Sequence, residues 1–433
     1  MKSKRFFIVS ILVLATICYT ANAQAANERD DLYKELEIFA EGLAVIENKY
    51  VEEKPSHDLI YGAMSGMLMA LDSYSQFLTP EDYKNLLVET EGKFGGLGIE
   101  ITIRDGLLTI VSPIEDTPAW SKGIEAGDII VKINGDLTKN ITLHDAVNSL
   151  RGDPGTEVTL TLLRERTKTL EDITLTRDII KIKDIKHAMI LENRIGYIKI
   201  AEFREKTADD MSKALKRLSK EGLDGLIIDV RYNPGGLLTS AIDISSQFIE
   251  DGKVVVSTKS RSEPERIYTS VPFRTKYLDI PIIVLINKGS ASGSEILAAA
   301  LRENNKAVLV GETSFGKGSV QTIIPLSDGS AMRLTTSKYY TPNGTSIHEK
   351  GVEPDIVLEH KVSEGTDEAK KEEDMFKRLE QEKEFDYKKD SEIVRAIDLL
   401  KGLLILNPPV QMSTENRVQS TEKKADTKIE KKK

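Results

Sequence analysis

Three short segments of this sequence carry residue types suited to acyl-transfer chemistry. The first, Ser290-Ala291-Ser292-Gly293-Ser294-Glu295, follows an apolar run from Ile280 to Asn287 and opens a helical pattern. Small residues there let a substrate backbone approach closely, and a helix start presents N–H groups that have no intrahelical partner. A serine hydroxyl so placed lies near the positive end of the helix dipole, and neighbouring amides can stabilise an oxyanion. Taken alone, the same residues also suit a plain helix-capping turn.

A serine nucleophile needs a base. Lys317 stands between two glycines in Gly311-Glu312-Thr313-Ser314-Phe315-Gly316-Lys317-Gly318-Ser319-Val320-Gln321, at the mouth of an apolar strand running to Leu326. A lysine serves as base only if burial or neighbouring dipoles drive off its proton. Lys317 and Gln321 are four apart, so on an extended strand both point to one face, where Gln321 can hold the amine. In the third segment, Gly225 to Val230 reads as a buried strand that leads to Asn233-Pro234-Gly235-Gly236. Such a turn can aim N–H groups into a cleft, or simply join strand to helix.

Competing chemistries are weaker. Gly311 to Lys317 fits the spacing of a phosphate-binding loop. However, Gly318 stands where magnesium binding needs Ser or Thr, and a β-like run follows in place of a helix. The five histidines, His57, His144, His187, His348 and His360, show no metal-ligand spacing. His348, in a polar turn, is the alternative base. The single cysteine, Cys18, lies in a leader-like segment, so cysteine catalysis, disulfides and thiolate metal sites drop out together.

That segment, 1–23, has a basic head (Lys2, Lys4, Arg5), an apolar stretch from Phe6 to Ile17, and Ala21-Asn22-Ala23 at its end. This is the pattern of an export signal removed before Gln24, with an uncleaved membrane anchor as the alternative. The chain has 433 residues, 40% hydrophobic and 30% charged, enough for two or three globular domains. Its formal charge of −9 falls to −12 without the three cations of the head. No basic stripe with interleaved aromatics occurs, which excludes nucleic acid as a partner.

The elements that must position these residues follow from periodicity. Residues 24–92 read as helical, with Leu32, Leu36, Phe39, Leu43 and Ile46 on one face. Residues 93–176 change to short β-like runs between glycine turns, with one helix from Leu143 to Leu150 capped by Thr142. Residues 177–361 alternate continuous apolar strands with helical patterns, as βα units do. A charged region, 362–407, contains an amphipathic helix from about Ser391. In 408–433 there is too little apolar surface for order.

At the three segments the chain resembles the carboxyl-terminal processing (tail-specific) proteases of peptidase family S41. Its Ser-Ala-Ser-x-Ser-Glu, Phe-Gly-Lys-Gly-x-Val-Gln and Asn-Pro-Gly-Gly stretches match that family's pattern, and the resemblance covers nearly all of the chain from 24 to about 360. It implies a multidomain α+β/α/β protein: a PDZ domain, β-rich with a capping helix, and a ClpP/crotonase-like α/β serine protease core, between helical N- and C-terminal segments. It makes Ser292 the nucleophile rather than Ser290 or Ser294, Lys317 the base and Gln321 its orienting partner. The oxyanion hole would combine Gly293, where the family often has Ala, with Gly235 or Gly236.

In the PDZ resemblance, Gly95-Gly96-Leu97-Gly98-Ile99 is the carboxylate-binding loop, with Gly96, Leu97, Gly98 and Ile99 beside Leu143 and Val147 forming the peptide groove. An apolar groove implies protein or peptide substrates with apolar C-termini. Arg151, following the groove helix, is the candidate that couples tail binding to the active site. No metal or organic cofactor is implied. The apolar terminal helices offer surfaces for a homodimer, and an adaptor protein is admitted as a further partner. The expected location is the periplasm or the extracytoplasmic face of a bacterial envelope. The rival functions are a non-catalytic PDZ scaffold and an ester hydrolase using the same dyad.

Overall fold

The computed structural model describes residues 33–358 and 385–406, apart from Asp105, Glu115 and Arg274. The expected export segment 1–23, the charged stretch before Phe385 and the tail 408–433 lie outside the described residues. Among the described residues the chain forms two compact units, one of 33–79 with Ile323–Leu334 and the other of Pro80–Thr322 with 335–358 and 385–406.

In the first unit, helices over 33–49 and Ser56–Met69 are followed by a strand, Gln76–Leu78, paired antiparallel with Ala331–Arg333. The region reads as helical from its sequence, with a second run from Leu59 to Leu71, and no strand was expected after that helix. Asp72 breaks it: its carboxylate accepts the backbone N–H groups of Tyr74 and Ser75, both at 2.7 Å, and turns the chain out of the helix. The Tyr61 hydroxyl donates to Asp328 at 2.7 Å and so ties the second helix to the hairpin tip.

The second unit is built on a six-stranded sheet. In sheet order its strands are β1 (Ile185–Ile190), β2 (Ile195–Ile200), β3 (Gly225–Asp229), β4 (Ile282–Ile286), β5 (Ala307–Gly311) and β6 (Ile356–Val357). The first pair is antiparallel and the remainder parallel. Strand β3 up to Ile228 and all of β4 are apolar because both faces are covered. Leu226, Ile228, Ile282, Val284 and Ile286 face the cluster that contains helices α1 (Thr207–Glu221), α2 (Leu238–Ser246) and α3 (Gly293–Glu303). Ile227, Ile283 and Leu285 face the other side, against Ile393, Ala396, Ile397 and Leu400 of α4 (Ser391–Leu406). The expected βα units are therefore present, with β3 feeding α2 and β4 feeding α3.

A second sheet was not expected. Val254–Ser260 pairs antiparallel with Arg266–Thr269 and with residues 337–340. Largely exposed strands such as Arg266–Thr269 carry no continuous apolar run, so periodicity alone does not reveal them.

The domain before the core is an antiparallel sheet of Ile99–Arg104, Leu107–Pro113, Ile129–Ile133, Glu157–Leu163 and Leu170–Thr176, with Asp136–Leu137 at its side. Helix Leu143–Leu150 begins as read from the sequence, the Thr142 hydroxyl accepting the Asp145 N–H at 3.1 Å. Lys93–Gly96 pairs antiparallel with Asp178–Lys181, so the chain enters and leaves this domain on adjacent strands. Gly95 and Gly96 are thus strand residues, and the expected carboxylate loop narrows to Leu97 and Gly98.

Leu400 is fully buried against the sheet, so Leu400→Ala should lower stability by about 2–5 kcal/mol in urea unfolding. A loss under about 1 kcal/mol would contradict the docking of α4 on the sheet.

Candidate active site

The segment between β4 and α3 folds into a strained turn with Ser292 at its end. Ser292 has φ 50° and ψ −110°, a conformation that costs a non-glycine residue on the order of 1–3 kcal/mol and needs support from its surroundings. That support comes from Val230 to Asn233, the residues that follow β3. Ser290 Oγ donates to Val230 O at 2.8 Å, Ala291 N to Asn233 O at 3.0 Å, and Ser294 Oγ to Asn233 O at 2.9 Å. Two of the three candidate serines therefore have their hydroxyls engaged by main-chain carbonyls. The Ser292 hydroxyl faces the phenol of Tyr339 instead. Burial pushes that phenol up to about 12, and the hydrogen bond from Ser292 partly offsets the rise.

Glu295 joins this turn to the lysine loop. It is fully buried and accepts Ser292 N at 2.8 Å, Ser314 Oγ at 2.6 Å, Gly316 N at 2.7 Å and Lys317 N at 3.0 Å. Burial raises its carboxyl above the usual range, while Ser314 and the three amides pull it back. Every group aimed at it is a donor, so the geometry is complementary to a carboxylate. Sequence reasoning gave Glu295 no role, although Ser292 and Glu295 stand at capping-box spacing.

Lys317 is half-buried and lies in a tight turn, not on the strand as expected. The strand starts at Ser319, and Gly318 N donates to Gly316 O at 3.1 Å. The flanking glycines have a steric reason. A methyl group on Gly318 would lie 2.3 Å from His348 N, and one on Gly316, at φ +91°, would lie 3.0 Å from Gly351 N. Gln321 donates its amide nitrogen to Ser319 Oγ at 2.9 Å and Thr335 Oγ1 at 3.3 Å. Its carbonyl oxygen is then the atom through which it can hold an amine. His348, the alternative base, backs onto Gly318; its Nδ1 is buried with no hydrogen-bond partner among the described residues, and its Nε2 lies 3.9 Å from Glu349.

The Asn-Pro-Gly-Gly turn packs directly on the serine. Asn233 is buried; its side chain donates to Ile200 O at 2.9 Å and accepts Gly235 N at 2.8 Å. A methyl group on Gly235, at φ +102°, would lie 2.7 Å from Ser292 Cβ and 2.8 Å from Gly293 N. Gly235 O accepts Phe203 N at 2.8 Å, and Phe203 O accepts Leu237 N at 2.7 Å. This bridge leaves out the N–H of Gly236.

In the preceding domain, Ile99–Arg104 is an edge strand lying against helix Leu143–Leu150. Leu97 is core, Ile99 and Val147 are half-buried, and Leu143 is exposed. Gly98, at φ +76°, fits close against Thr117, where a methyl group would approach to 2.3 Å. Arg151 ends the helix, its guanidinium 4.9 Å from the centre of the Phe94 ring.

The peptidase family S41 model matches residues 194–358, and a PDZ domain model matches 109–164. A carboxy-terminal-processing protease of Bartonella bacilliformis is 42% identical over 363 residues, 83% of this chain and 83% of that relative. Carboxy-terminal processing protease CtpB of Bacillus subtilis is 37% identical over 347 residues, 79% and 71% of the two chains. A crystal structure from Bacteroides fragilis assigned to the S41 proteases aligns over 83% of this chain and 97% of that one. Its TM-score is 0.51 at 17% identity, a likeness of fold.

Glu295→Gln turns an amide nitrogen toward at least one of four donors. Peptide cleavage should fall by about 10–100-fold, with a stability loss of about 1–3 kcal/mol. Wild-type turnover in this variant would show that the shared carboxylate does not set the geometry.

Proposed function

We propose, from the premise that the chain belongs to the carboxy-terminal processing proteases of peptidase family S41 and is a serine-type peptidase, that it works as an exported endopeptidase with a Ser292–Lys317 dyad. Its substrates are peptides or proteins. The observation that carries the dyad is the shared carboxylate: Glu295 holds the backbone of both residues, and of the three clustered serines Ser290 and Ser294 donate their hydroxyls to main-chain carbonyls whereas the Ser292 hydroxyl faces the phenol of Tyr339.

In this reading, neutral Lys317 takes the Ser292 proton as the hydroxyl attacks a peptide carbonyl. Gln321 orients the amine through its carbonyl oxygen. The oxyanion is received by the N–H groups of Gly293 and Gly236. Gly236 is preferred to Gly235 because the Gly235 N–H is already donated to Asn233. Lys317 returns the proton to the leaving amine, and water, deprotonated by the same lysine, releases the acyl group from Ser292.

Tail recognition rests on the free edge of Ile99–Arg104, onto which an extended peptide can add as a strand. Leu143, Val147 and Ile99 supply an apolar wall that favours substrates with apolar C-termini. Arg151 couples the groove to the core: it packs on Phe94, in the strand that pairs with Asp178–Lys181. Export to the periplasm or the outer face of the envelope rests on the leader-like pattern of residues 1–23. A homodimer is supported by the exposed apolar side chains of Tyr33, Leu36, Phe39 and Ile46 in the first unit.

Incubation with an unfolded protein bearing an apolar tail should give internal cleavage products by mass spectrometry. Ser292→Ala and Lys317→Ala should each reduce their rate by at least about 1,000-fold. Cleavage unaffected by Ser292→Ala would sink the assignment, and a wild-type chain that binds the tail without cutting would favour the scaffold. Arg151→Ala should reduce the preference for tailed over untailed substrate by about tenfold; an unchanged ratio would remove Arg151 from the coupling.

A further inference from the structure

The residues that follow β3 are held from two sides. Toward the nucleophile turn, Val230 O and Asn233 O accept Ser290, Ala291 and Ser294, and Tyr232 N donates to Asn287 Oδ1 at 2.9 Å. In the middle of this segment stands Arg231, whose guanidinium points to carboxylates. Its Nε and Nη2 donate to Asp229 at 3.0 and 2.7 Å, and its Nη2 and Nη1 to Asp390 at 2.8 and 3.2 Å. Nη1 also pairs with Glu392. Asp229 is held further by the Tyr197 hydroxyl at 2.8 Å and Lys199 Nζ at 3.3 Å.

Asp390 and Glu392 belong to the C-terminal helix. Asp390 caps α4, accepting the N–H groups of Glu392 and Ile393 at 3.0 and 3.1 Å. The helix already has an apolar face for docking: Ile393, Ala396, Ile397 and Leu400. Asp229, Arg231 and Glu392 are each less than one-tenth exposed. Buried ion pairs add little net stability over apolar packing, because desolvation offsets their attraction, but they do fix geometry. A planar guanidinium shared among three carboxylates fixes both distance and angle.

We propose that α4 is a working part of the active site, with Asp390 and Glu392 as positioning residues. Through Arg231 they hold the backbone segment 230–233 on which the nucleophile turn rests. Release of the guanidinium lets Val230 O and Asn233 O shift, and the strained Ser292 turn loses its support. The inference rests on Ser292 as the nucleophile.

The test uses the full-length protein with Asp390→Asn/Glu392→Gln, which removes the two charges and keeps the shapes. Turnover of a tailed peptide should fall by about 10–100-fold, the scale of a displacement near 1 Å. KM and tail affinity should stay within about twofold. Arg231→Lys should behave alike, since an ammonium cannot serve three carboxylates in one plane. Circular dichroism and urea unfolding give the folded fraction of each variant. A folded double variant with wild-type turnover overturns the proposal, as does a loss that only matches the unfolded fraction. If the double variant fails to fold, Asp390→Asn alone, at a side chain 34% exposed, is read by the same criteria. Ser292→Ala run in parallel separates the two readings. If it still cleaves, the nucleophile assignment fails; if it is inactive while the double variant is wild type, only the positioning role falls.

Discussion

The Glu295 carboxylate is the interaction on which the site depends. It takes a hydroxyl, from Ser314, and three main-chain amides, from Ser292, Gly316 and Lys317. A buried carboxylate is expensive unless its oxygens are saturated with donors, so the loops that supply those donors are held where they saturate it. The same bonds that satisfy the carboxylate set the separation between the nucleophile turn and the lysine loop. The raised carboxyl of Glu295 records the remaining conflict between burial and hydrogen bonding.

Around that carboxylate the glycines mark where backbones meet. Gly235 abuts Ser292, Gly236 abuts Phe203, and Gly318 abuts His348, each at a distance that no side chain could occupy. Rigidity from several directions lets Ser292 keep a conformation that costs a non-glycine residue energy. The sheet beneath supplies the base: β3 and β4 are buried on both faces, and each ends in one of the two turns that form the site.

A second buried charge cluster lies on the opposite face of the sheet. Burial would raise Asp229, but Arg231 and Lys199 hold it well below the usual carboxylate range. Glu295 organises loops through neutral donors, whereas Asp229, Asp390 and Glu392 organise a helix through one cation. The two clusters meet in the main chain between Val230 and Asn233.

Much of this was legible in the residues themselves, for local reasons. Continuous apolar runs specified β3 and β4, small residues specified the turns after them, and Thr142 with Asp145 specified the start of the groove helix. Each of these signals involves residues close in sequence, so composition and spacing suffice to express it. The availability of the serine hydroxyls was not of that kind. Ser290 and Ser294 are engaged by carbonyls 60 and 61 residues away, and by sequence alone the three serines differ little. Tyr339, Asn233 and Glu295 likewise acquire their places only when distant segments pack. Lys317 lies off its expected strand, in a turn where Gly318 passes close to His348, a residue distant in sequence. Chemistry-bearing residue types are thus written locally, whereas which of their atoms remains available is decided by long-range hydrogen bonds that exist only in the folded chain.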